Sequence, residues 1–163
     1  MLQQFLRQNG DSILGKWLDQ TINSYGSEMV RFLQREKNQF ANPVRNTIVT
    51  STKEIYDAFL NNAAFDKNYP GLEEIIKLRA VQDFSPSEAL SFLFYLKNIV
   101  RQELADNQQF DIPKTELAEF EDKMDKLTGL AFDIYTDCRN KIFEIRINEI
   151  KSQSKRAFEL LGK

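Results

Sequence analysis

From Pro113 to Gly162 the chain contains no helix breaker other than Gly129. Within that segment Leu117, Phe120, Met124, Leu127, Ala131, Ile134 and Cys138 recur at alternating steps of three and four, the signature of one helix face. After Ile142 the apolar pattern widens to include Phe143, Ile145, Ile147 and Ile150. A continuous helix of about 45 residues would run nearly 70 Å at roughly 1.5 Å per residue. A compact domain of this size has a radius of gyration of only about 15 Å. Such a helix must leave the body unless it breaks, and the rest of the chain must fold around its first half.

The preceding segments are punctuated as helices are. Leu2, Phe5 and Leu6 predict a short helix before Gly10. Asp11 is a candidate N-cap for a helix whose stripe is Ile13, Leu14, Trp17, Leu18 and Ile22, ending near Tyr25-Gly26. Ser27 opens the next, with Met29, Val30, Phe32 and Leu33 apolar. Asn42-Pro43 combines a cap with a proline at the first helical position and predicts a helix through about Asn62. Its middle, Val49 to Thr52, is the weakest helix-forming stretch. Pro70-Gly71 starts a short helix bearing Leu72, Ile75, Ile76 and Leu78. Ser85-Pro86-Ser87-Glu88 then reads as a capping box with proline at the first helical position. The helix behind it is apolar or aromatic at six of the seven positions from Leu90 to Leu96, which predicts a central helix surrounded by others. Phe94 is counted in that core, so Phe94→Asp is expected to unfold the domain. Glu119→Gln, on a solvated face, is expected to change stability by no more than about 0.5 kcal/mol.

Composition excludes more than it indicates. The 163 residues carry 22 basic and 24 acidic side chains, so net charge points to neither nucleic acid nor an anionic membrane. No apolar run approaches the roughly 20 residues of a membrane span, and the start does not read as a signal peptide. One cysteine, Cys138, fits a reducing compartment, so the cytoplasm is the expected location. Histidine is absent. That removes catalytic triads, histidine bases, histidine zinc sites and a haem held by a proximal histidine. Tyr or Cys ligation stays formally open, but no cofactor is expected and no catalytic residue can be named.

Acidic Glu116, Glu119, Glu121 and Asp122 are a poor transition-metal set without histidine, and Lys114 and Lys123 compete for them; a solvated first turn explains them. Cys138 reads as a small buried hydrophobe, and Trp17 with Phe92, Phe94 and Tyr95 as core. Arg79, Gln82 and Asp83, just before the Ser85 cap, are either a partner-contact corner or the local hydrogen bonding that fixes the turn between two helices. Charge divides along the last helix: nine acidic and three basic residues from Ala105 to Asp137, three acidic and seven basic from Cys138 to Lys163. Macrodipole complementarity and solvated faces account for this. A second copy docked along the helix would use it too, and by charge alone would pair antiparallel.

Three segments carry a family resemblance: Phe32 to Ile48 (FLQREKNQFANPVRNTI), Gly71 to Phe92 (GLEEIIKLRAVQDFSPSEALSF) and Leu96 to Leu104 (LKNIVRQEL). Together they resemble the N-terminal domain of the RsbRD-type proteins, the RsbT co-antagonists of bacterial stressosomes. The resemblance is good from about Leu14 to Leu104 and extends to the last helix only in pattern. It implies a non-haem globin-like fold, usually dimeric, with a sensory or scaffolding role and no known catalytic residue. In that family the last helix feeds a C-terminal phosphoacceptor domain of the anti-sigma-antagonist type. This sequence ends at Lys163 directly after that helix, so a stand-alone form of the module is expected.

The expectation is therefore an all-α, globin-like bundle of about six helices forming one domain over residues 1–163. It comprises a short N-terminal helix (1–10), a globin-like body (11–112) and a long last helix (113–163) whose end projects. Two functions fit. One is a non-catalytic stress-sensing or protein-interaction module that dimerises through its last helices and acts on a separate signalling protein. The other is a sensor binding an apolar, fatty-acid-like molecule in the haem-less cavity, lined by residues such as Phe59, Ile76, Phe92 and Leu96.

Overall fold

A computed structural model describes residues 1–107 and 109–162. Among them are seven α-helices and no strand, an all-α fold: α1 (Leu2–Gln8), α2 (Gly10–Asn23), α3 (Ser27–Arg35), α4 (Pro43–Leu60), α5 (Pro70–Val81), α6 (Pro86–Asp106) and α7 (Lys114–Leu161). Each of the seven corresponds to a helical segment read from the sequence, the short α1 included, which joins α2 at Asn9 alone. The start signals at Asn42 and Ser85 operate as their chemistry requires, whereas Asp11 is no cap: α2 begins one residue earlier, at Gly10, without a side-chain cap, and Asp11 lies in its first turn. The Asn42 side chain accepts the Arg45 amide at 3.0 Å. Ser85 and Glu88 close their capping box, the Glu88 carboxylate accepting the Ser85 amide at 2.9 Å.

The weak Val49 to Thr52 stretch stays helical within α4. Its small residues serve close packing. Ser51 and Thr52 are buried, and Thr52 returns its hydroxyl to the Ile48 carbonyl at 2.8 Å. Across the contact lies Gly71 of α5, where a Cβ would stand 2.8 Å from the Glu54 carboxylate and 3.2 Å from the Ser51 carbonyl oxygen. Any larger side chain would push α5 off α4.

Helix α6 packs against α2, α5 and α7. Ala89, Phe92, Leu93, Leu96 and Val100 are fully buried on it. The Trp17 ring of α2 stacks on Phe92 at 6.1 Å, and its indole N–H donates to the Phe92 carbonyl at 2.6 Å. Near the other end of the pair, Glu103 accepts from Ser12 at 2.9 Å and from Lys16 at 2.5 Å. The Lys16 hydrogen bond is the main influence holding the Glu103 carboxyl below the usual carboxylate range, against the opposing effect of burial. Phe94 departs from expectation. Its ring is 48% exposed, because a 100° step per residue carries position 94 away from the face that Leu93 and Leu96 bury. Tyr95 is half-buried.

Helix α7 is unbroken over 48 residues, about 72 Å. Gly129 does not interrupt it; that position faces open space. Its first half carries the predicted stripe, with Phe120, Met124, Leu127, Ala131 and Ile134 buried and Leu117 and Cys138 half-buried. Two ion pairs run antiparallel to α6, Lys97 with Asp125 at 2.8 Å and Arg101 with Glu121 at 2.5 Å. Residues 143–162 are all exposed. The last 19 residues of the helix thus extend about 28 Å beyond the body.

The two neighbouring phenylalanines of α6 separate core from surface in one experiment. Phe92→Ala should lower the unfolding free energy in urea by about 3–5 kcal/mol. Phe94→Ala should change it by no more than about 0.5 kcal/mol.

Candidate functional site

The junction between α5 and α6 is organised around one buried cation. Arg79, in the last turn of α5, is fully buried. Its Nη1 donates to the Glu88 carbonyl at 2.9 Å and to the Ser91 hydroxyl at 3.4 Å. Its Nη2 donates to the Thr21 carbonyl at 3.3 Å and the Ser24 hydroxyl at 2.9 Å. The rings of Tyr25, Phe84 and Phe92 surround the guanidinium, with centroids 5.0 to 5.4 Å from its carbon. Carbonyls, hydroxyls and aromatic faces thus stand in for a carboxylate partner. Burial pulls the Arg79 pKa below the usual arginine value and pushes the Tyr25 phenol up, Arg79 itself opposing the latter shift.

Beyond Arg79 the chain turns in four residues. Gln82 ends the helix, Asp83 takes the left-handed conformation at φ 59°, and the Phe84 amide returns to the Arg79 carbonyl at 3.3 Å. This is a Schellman closure with aspartate in the position where glycine is usual. Helix α7 grips the outside of the turn. The Tyr135 hydroxyl donates to the Phe84 carbonyl at 2.5 Å. Arg139 Nη1 is shared between Asp83 Oδ1 at 2.8 Å and the Ala80 carbonyl at 3.0 Å. The Arg139 guanidinium carbon also sits 5.1 Å from the Phe143 ring centroid, at the first fully exposed turn of α7.

Arg79, Gln82 and Asp83 therefore do not form one surface. Arg79 lies inside and fixes the junction, Gln82 is half-buried, and Asp83 is exposed and paired. Arg139 and Tyr135, which complete the corner, went unidentified in the sequence; the only signal is a polar pair beside the apolar stripe of α7.

Residues 11–150 match the family described as the RsbT co-antagonist protein rsbRD N-terminal domain. The chain belongs to this family. Neither a curated protein nor a solved structure matches it. The matched span contains the whole Arg79 corner and α7 as far as Ile150, and leaves α1 outside.

Of the four residues expected to line an apolar pocket of this RsbRD-type domain, Ile76, Phe92 and Leu96 are fully buried and Phe59 is nearly so. Phe59 alone among them borders the open cleft of about 310 Å³ between α1, α4 and α7. Leu2, Leu6, Phe59 and Phe120 supply apolar walls to that cleft, with Asn62, Glu116, Glu119 and Lys123 as polar lining. The acidic cluster is dispersed. Glu116 takes the amino terminus at 3.1 Å and the Leu2 amide at 2.7 Å, whereas Glu121 pairs with Arg101. Among the described residues no group of three or more side chains converges as a metal site. Cys138 is half-buried, and burial pushes its thiol pKa up.

The second notable feature is the apolar stripe of the projecting helix. Phe132, Phe143, Ile147, Ile150 and Leu161 are 47 to 83% exposed. At about 100° per residue, Phe132, Phe143, Ile150 and Leu161 fall within roughly 20° of one another, with Ile147 about 40° from the stripe's nearer edge. This chain's own body covers none of them.

Lysine cannot reproduce the forked geometry of Arg79. Arg79→Lys should therefore lose about two of the four hydrogen bonds, lowering the unfolding free energy by roughly 2 kcal/mol. Urea denaturation followed by far-UV circular dichroism measures it.

Proposed function

We propose that this chain is a non-catalytic sensory module of the stressosome co-antagonist type, which self-associates along α7 and acts on a separate signalling protein. The observation that carries this is the exposed stripe of the projecting helix. An apolar stripe on a solvated 28 Å extension gains free energy only by being covered, and repeats at steps of three, four, seven and eleven suit a helix partner with the same repeat. A second copy supplies that partner. The acidic first half and basic second half of α7 add complementary charge between copies. Family membership supports the signalling role, and among the described residues no helix is long and apolar enough to cross a membrane.

Sedimentation equilibrium at micromolar concentration tests self-association against the chain mass of 19.0 kDa. A dimer of twice that mass is expected. Ile150→Asp should weaken it at least about tenfold, equivalent to 1.4 kcal/mol, without changing the urea midpoint of the body. A species that remains at the single-chain mass would refute this function.

The cleft beside α1 supports a second function, binding of a fatty-acid-like molecule. Its apolar walls would take the chain, and Lys123, which bonds the Asn62 side chain, would meet the carboxylate at the rim. Phe120→Trp should reduce retention of a bound fatty acid at least about fivefold in native mass spectrometry, by filling the cleft. Retention unchanged by the variant, or no bound mass in the parent protein, would rule it out.

A further inference from the structure

We propose that Asp83 and Arg139 form a latch that gates self-association of α7, by holding a cation out of the pairing seam. This deepens the function proposed above and rests on it.

The position of Asp83 carries the first part of the argument. At φ 59° it occupies the place in a Schellman closure that glycine fills without a Cβ penalty. Aspartate adopts this conformation less readily than glycine, as Asn62 does at φ 54° after α4, and its carboxylate, 67% exposed, is paired with Arg139. The turn would form more readily without the side chain. Its role therefore lies in the contact with α7.

Arg139 carries the second part. It lies three residues after Thr136 and four before Phe143, and by helical rotation falls about 20° from the line through Phe132 and Ile150. It thus roots in the same stripe as the exposed apolar residues. With its guanidinium folded back onto Asp83 and the Ala80 carbonyl, only 19% of the side chain is exposed and its charge is met on the body side of the stripe. Released, the same group would stand among Phe132, Phe143 and Ile147 as a cation with no partner, which an apolar helix interface excludes. The folded-back guanidinium also lies over the ring of Phe143, the first stripe residue beyond the body, with its Nη1 bonded to Asp83 and Ala80.

The corner connects inward as well. Phe84 follows Asp83, covers Arg79 with its ring and bonds Tyr135 through its carbonyl. A change at the α5–α6 junction thus reaches the base of the projecting helix through contiguous contacts.

The test compares self-association of the full chain with that of Asp83→Asn, Arg139→Met and the double variant, by sedimentation equilibrium. Asparagine keeps the shape and tolerates the left-handed backbone but lacks the charge, and methionine removes the cation. The latch requires Asp83→Asn to weaken association at least about fivefold, with Arg139→Met as tight as the parent or tighter. The double variant must behave as Arg139→Met does. Parent dimers unaffected by Asp83→Asn would overturn the latch and leave the dimer standing. Equal weakening by both single variants would also overturn it, because the pair would then be supporting the seam by its contacts alone. A monomeric parent would overturn both proposals. Urea midpoints of all four proteins separate these outcomes from loss of folding.

Discussion

The architecture depends on burying the Arg79 guanidinium. Removing a cation from water is costly, and no carboxylate is paired with it among the described residues. The cost is offset only when the end of α2, the start of α6 and three aromatic rings are all in place, since Thr21, Ser24, Glu88 and Ser91 come from two different helices. A half-assembled corner would leave the charge dry and unpaired. The interaction therefore favours one relative placement of α2, α5 and α6, and apolar contacts, being non-directional, cannot do the same. The Trp17–Phe92 stack and the Glu103 carboxylate extend that placement along the rest of the α2–α6 contact.

The second half of α7 follows from geometry. The body engages the helix only as far as Cys138 to Ile142, and the residues beyond are exposed on every side. An isolated two-face helix of this length in water is sustained poorly by propensity alone. The apolar side chains on its stripe are consequently a cost to the solvated monomer and a source of free energy in any assembly. The same helix both closes the body, through Phe120 to Ile134, and leads away from it, so a movement at its base is carried along its whole length.

What could be read from residues alone was whatever local chemistry decides. The Asn42 and Ser85 caps, the prolines at 43, 70 and 86, and the steps of three and four along α7 each specify a helix boundary or face without help from distant residues. The orientation of Phe94 was not legible, because six of seven neighbours are apolar and no polar residue marks the outward face. Burial of Arg79 was hidden for a different reason. Arginine is usually exposed, and only the convergence of two other helices makes its burial tolerable. The candidate pocket failed similarly: periodicity places Ile76, Phe92 and Leu96 inside, but whether interior side chains leave space is decided by how they fill one another's gaps. Arg139 and Tyr135 gained meaning only once α7 lay across the turn between α5 and α6.

Asp83 shows where local and global requirements diverge. Every other turn of this corner agrees with its own sequence: the serine caps, the proline starts the helix, the glutamate closes the box. Asp83 instead takes a left-handed conformation that glycine fills more readily, as Asn62 does after α4. Consistency across levels is what lets a sequence specify a fold, and a departure from it is informative where a long-range contact accompanies it. Here that contact reaches α7 at the last turn the body holds. The turn and the ion pair occur together, and the junction that encloses Arg79 thus bears directly on the helix that leaves the domain.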